Sequence, residues 1–154
     1  MKIIFLDIDG VVNCMYTKQR LRGIIFVDPR KIQLVKDIVD ATGARIVLTS
    51  TWRFGWHDID NHVNSPSAAD FISLRDEFNK MGLDFFDKTE CSDDGYRGKE
   101  ISIWLENHPE VTNYVVIDDD TDIKPHGLKF IQTSWQKGIC QKHVMKAIKI
   151  LEGK

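Results

Sequence analysis

Two aspartates, Asp7 and Asp9, close the apolar stretch KIIFLDIDGVVN at residues 2–13, and Gly10 follows at once. Side chains two apart on a strand share a face, and beyond the strand end Gly10 permits a turn. Carboxylates this close repel one another unless a cation relieves them, and ligands that are all oxygen suit Mg2+. A second apolar run, YVVIDDDTD at residues 114–122, also ends in acids: Asp118, Asp119, Asp120 and Asp122. Either cluster alone is compatible with a solvated turn. Two such strand ends in one parallel sheet make a divalent-metal site whose open positions can take a phosphate. A third run, RIVLTSTWR at residues 45–53, ends in Thr49, Ser50 and Thr51, hydroxyls suited to a phosphoryl oxygen. Lys99, in YRGKEISIWL, stands at a helix start, where the dipole and an ammonium can face an anion together; the plain alternative is a solvated surface lysine.

These groups need strands to carry them. Residues 3–8, 45–49, 114–117 and 129–132 are short apolar runs without alternation, as in parallel strands covered on both faces. Helices fall between them. Asp28–Pro29 opens one whose stripe of Ile32, Val35, Ile38 and Val39 stops at Gly43. Ser65–Pro66 opens another, with Phe71, Leu74 and Phe78 inside and Gly82 beyond. A third spans about 98–107, and the last begins near Gln141 with Val144, Ala147, Ile148 and Leu151. The alternation predicts an α/β fold, a Rossmann-like doubly wound parallel sheet, as one domain over residues 1–154. Residues 14–27, 52–64 and 88–98 read as irregular, and they gather where ligands bind in such sheets, outside the carboxyl ends of the strands.

The bulk properties narrow the function. At 154 residues and 42% apolar content the chain can bury a real core, and its net charge of −2 gives no sequence-independent grip on nucleic acid. Cys14, Cys91 and Cys140 lack disulfide or zinc spacing and read as reduced thiols of a cytoplasmic protein. No run approaches a membrane span, no signal-peptide layout precedes the first strand, and no obligatory protein partner is evident.

Taken in order, the motifs resemble those of the haloacid dehalogenase (HAD) phosphatase superfamily: DxD at Asp7 and Asp9, a strand-end hydroxyl at Thr49, Lys99, and acids at Asp118 and Asp119. LTSTWR and RGKEISIWL resemble, more narrowly, the small HAD domains of RNA-repair proteins and of stand-alone phage or bacterial proteins. The resemblance implies a phosphomonoesterase in which Asp7 is the nucleophile and forms an aspartyl-phosphate, while Asp9 shuttles the proton. It further implies Mg2+ held by Asp7, the Asp9 carbonyl and Asp118, with Asp119 supporting the metal shell or Lys99. Which of Asp118, Asp119, Asp120 and Asp122 ligates directly stays open, as does whether Thr49 or Ser50 meets the phosphate.

HAD enzymes choose substrates with cap insertions, and the intervals here leave room for a minimal cap or none. An open site suits a bulky phosphate, such as a nucleotide or a polynucleotide 3′- or 5′-end; phosphoproteins, small metabolites and a catalytically silent binding module are the alternatives. Trp52 and Arg53 are expected to stack a base and hold a second phosphate, with Arg97 as another candidate and Lys18, Arg20 and Arg22 lending a basic face. Trp52 and Trp56 have the competing role of packing their loop against the core. His126 and His143 read as structural.

Overall fold

The computed structural model describes residues 1–154. Its centre is a five-stranded parallel sheet built from β1 (Lys2–Leu6), β4 (Arg45–Leu48), β5 (Phe85–Lys88), β6 (Asn113–Asp118) and β7 (Phe130–Gln132), in the order β5-β4-β1-β6-β7. A two-stranded antiparallel hairpin, β2 (Arg20–Leu21) and β3 (Ile24–Ile25), stands apart from it. Five helices complete the chain: α1 (Pro29–Thr42), α2 (Arg53–Asp60), α3 (Pro66–Lys80), α4 (Arg97–Glu106) and α5 (Gln141–Leu151). This is a doubly wound, Rossmann-like α/β fold without a cap domain.

The unalternated apolar runs have a simple cause. Successive residues of a strand face opposite sides, and here both sides are covered. Ile4 and Leu6 of β1 join the large core that includes Ile32 of α1, Phe71 of α3 and Val144 of α5. Ile3 and Phe5 face the other way, into a smaller core with Ile101 and Trp104 of α4. The helix starts follow local chemistry. The Asp28 and Ser65 side chains accept from Arg30 N and Ala68 N, each ahead of a first-turn proline.

Three features depart from the expectations. Residues 53–60 of the supposedly irregular segment form α2, with Gly55 inside it. That glycine is a packing device, because a Cβ there would overlap the Ser67 carbonyl at the start of α3. The edge strand β5 was not expected, since FFDK is half polar and too short to stand out. The first loop carries the β2–β3 hairpin, whose two-residue strands lie below any periodic signal.

Candidate active site

β1 lies between β4 and β6, and the connections lead to opposite sides of it, so the carboxyl end of β1 is the sheet's switch point. Crevices open there in doubly wound sheets. The three residues just past or at these neighbouring strand ends are Asp7, Thr49 and Asp118. Backbone bonds prolong the ladder into the site: Asp7 N donates to Ile117 O at 3.0 Å and Thr49 N to Leu6 O at 3.0 Å.

Asp7, Asp118 and Asp119 each offer a carboxylate oxygen, all within 4.8 Å of one another. Asp118 is wholly buried and Asp7 nearly so, whereas Asp119 is half-buried. Burial holds the Asp7 carboxyl well above its ordinary pKa, and the Asp118 charge pushes it the same way. Burial also raises Asp118, against the pull of Arg97, and raises Asp119, where Asp118 adds to the effect. Three acids driven towards protonation, with hard oxygen donors converging, form a donor set that fits a divalent cation. Gly10 is part of this construction. Its φ is +78°, and a Cβ would overlap the Asp119 carboxylate.

The fixed cation in this cluster is Arg97. Its Nη1 donates to Asp118 Oδ2 and stands 3.4 Å from Asp7 Oδ1. Burial disfavours its charge, but Asp7 and Asp118 outweigh burial and raise its pKa. Lys99 makes no ion pair with these acids: its side chain is about half exposed, with Nζ 3.5 Å from Asp94 Oδ2. Both residues open α4, but two residues of helix turn them onto different faces. The helix start itself is clamped, with Gly98 N donating to Asp122 O at 2.8 Å, and Gly98 has no room for a Cβ against the Lys124 carbonyl.

Asp9 is exposed and is not one of the three clustered carboxylates. Its Oδ1 accepts from Asn13 Nδ2 at 2.8 Å and its Oδ2 from Trp52 Nε1 at 3.0 Å. Asn13 Oδ1 in turn accepts from Gly10 N at 2.8 Å, so one asparagine fixes both the turn and the acid. Asn13 escaped the sequence reading, although its position four residues after Asp9 in DGVVN was a usable signal.

Thr49 is fully buried, and its Oγ1 has no partner. A buried hydroxyl left free at the switch point is open to an incoming acceptor. Ser50 is buried as well, and its Oγ accepts from Trp52 N at 3.4 Å.

Arg53 is held inside the protein by its own partners. It is buried, donates to Thr49 O, pairs with Glu100 Oε2 at 2.9 Å and contacts Cys91 Sγ at 3.4 Å. Its work is to join β4, the Cys91 loop and α4. Trp56 stacks on Phe71 at 5.1 Å and belongs to the core, while Trp52 meets Asp9. Asp120 is exposed, and Asp122 receives the α4 start through its carbonyl; neither joins the three-acid cluster. His126 is structural, with Nδ1 2.7 Å from Tyr114 Oη and Nε2 2.9 Å from Gly98 O.

A family model described as the HAD domain in Swiss Army Knife RNA repair proteins matches residues 3–144. The chain belongs to that family. No curated protein and no solved structure matches this HAD domain closely enough to be compared with it. No helix is long and apolar enough to cross a membrane.

Proposed function

We propose that this HAD domain is a Mg2+-dependent phosphomonoesterase acting through an aspartyl-phosphate on Asp7. The observation that carries this reading is the buried Asp7 carboxylate at the switch point, flanked by an unpartnered Thr49 hydroxyl, the Arg97 guanidinium and two further acids. Asp7 attacks phosphorus, the bond to the ester oxygen breaks, and Asp9 gives that oxygen a proton. Asp9 then takes a proton from the water that hydrolyses the acyl phosphate and frees Asp7. Thr49 donates to a phosphoryl oxygen and Arg97 offsets the charge that gathers there. Asp7, Asp118 and Asp119 would hold Mg2+, which would supply the positive charge that lets an anionic carboxylate approach an anionic phosphate.

The absence of a cap favours a substrate larger than a metabolite, and membership of a family named for RNA repair favours a nucleotide or a polynucleotide end. Asp7→Asn keeps the shape and removes the nucleophile. It should lower phosphate release from an aryl phosphate by about three orders of magnitude or more. Retained turnover in the folded variant refutes the nucleophile assignment.

A further inference from the structure

Beside Asp9 lies a groove of about 610 Å3, a volume typical of small-molecule sites. Trp52 and Phe54 from the start of α2, Ile24 and Ile25 of the hairpin, and Trp135 beyond β7 form its walls. Phe54 is 47% exposed and Trp135 38%, although each is large and apolar enough to favour burial. Aromatics left open together in one concavity mark a binding surface more than a packing fault. The groove is also a built feature. Arg22 next to the hairpin pairs with Asp70 of α3 at 2.5 Å, bracing one wall against the other, and Trp52 is held to Asp9 by its indole N–H.

Direction decides what the groove receives. In the reaction proposed above, the leaving oxygen must lie next to Asp9 to take its proton. Whatever that oxygen carries therefore continues from Asp9 on the side away from Asp7, and Asp9 is one of the residues that line the groove. Aromatic walls suit a flat group with a π face, which a nucleobase has and a sugar phosphate or phosphoserine lacks.

We propose that this groove is a nucleoside site, in which Phe54 and Trp135 hold the base of the nucleotide whose phosphate meets Asp7. The inference rests on the phosphatase reading for its direction, but base binding can be measured without turnover.

The intact protein is titrated with adenosine 3′- and 5′-monophosphate and with glycerol 3-phosphate, following tryptophan emission and, independently, heat of binding. One nucleotide should bind at least about tenfold more tightly than glycerol phosphate, the scale of base–aromatic stacking. With Mg2+, Phe54→Ala and Trp135→Ala should each lower the ratio of kcat/KM for the nucleotide to that for glycerol phosphate by about tenfold. Equal affinity for nucleotide and glycerol phosphate in the unmodified protein overturns the proposal, as does an unchanged ratio in both folded variants. If no phosphate is hydrolysed yet the nucleotide still binds preferentially, and less so in both variants, the groove stands and the phosphatase reading falls. A dinucleotide with the same terminal phosphate separates the two sources: tighter binding points to a strand end and weaker binding to a free nucleotide, and either keeps the base in the groove.

Discussion

Replacing Asp119 with asparagine isolates the electrostatic cost of the carboxylate cluster. Asp119 faces Asp7 and Asp118 within 4.8 Å but makes no ion pair with Arg97, so the change removes repulsion without losing attraction. At an effective dielectric constant of about 20, two unit charges at that separation repel by roughly 3 kcal/mol. Half-burial and screening reduce the net relief to about 1–2 kcal/mol. In a domain of this size that corresponds to a melting temperature higher by about 3–6 °C in EDTA at pH 7.5. The pH dependence has a definite sign. Burial raises Asp119 and its two neighbours above their ordinary pKa, so the folded state prefers them protonated. Their favourable contribution is therefore complete below the unfolded value of about 3.9 and fades as pH rises through the raised folded values. The advantage of the variant should be small at pH 4.5 and grow towards pH 7.5. Adding Mg2+ should stabilise the unmodified protein by mass action and the variant less, closing or reversing the gap. Circular dichroism melts of both proteins, with EDTA and with Mg2+ at the two pH values, are the assay. A variant that melts below the unmodified protein in EDTA at pH 7.5, or gains equally at both pH values, refutes the argument.

The two basic residues that open α4 should separate in kinetics. Arg97→Ala should reduce kcat/KM for an aryl phosphate by about 10^2–10^3, as when one preorganised donor is lost, and exceed the effect of Lys99→Ala by at least about tenfold; the reverse ranking would return the role to Lys99. Arg53→Ala should cost about 3–5 kcal/mol of stability, because Glu100 is left buried and unpaired, and chemical denaturation reads this directly. A selective rise in KM with unchanged stability would instead assign Arg53 to substrate.

How much could be read in advance depended on the kind of signal. The strand ends at Asp7, Thr49 and Asp118 were legible because each follows an apolar run, and a parallel sheet brings such ends together. The helix starts at Pro29 and Pro66 were legible because a capping side chain and a first-turn proline act within a few residues. The short edge strand β5 and the eight-residue α2 were not, since both are shorter than the stretch over which a period can be recognised.

Side-chain direction was the harder quantity, and the arginines show why. Arg53, Arg97 and Lys99 all lie beside strand or helix ends, and charge alone marks each as a phosphate ligand. The fold sorts them by what else is buried nearby. Glu100 of α4 is buried and must be neutralised, and Arg53, the first residue of α2, is the cation whose guanidinium reaches it while also bonding the Thr49 carbonyl. That leaves Arg97 to face the acids of β1 and β6, and Lys99 to face solvent and Asp94. Arg53 thus meets the site at the Thr49 carbonyl, just past the end of β4, whereas Arg97 contacts Asp7 and Asp118 directly. A sequence shows that cations are available, but their assignment is a competition among buried carboxylates, and that competition is settled only in three dimensions.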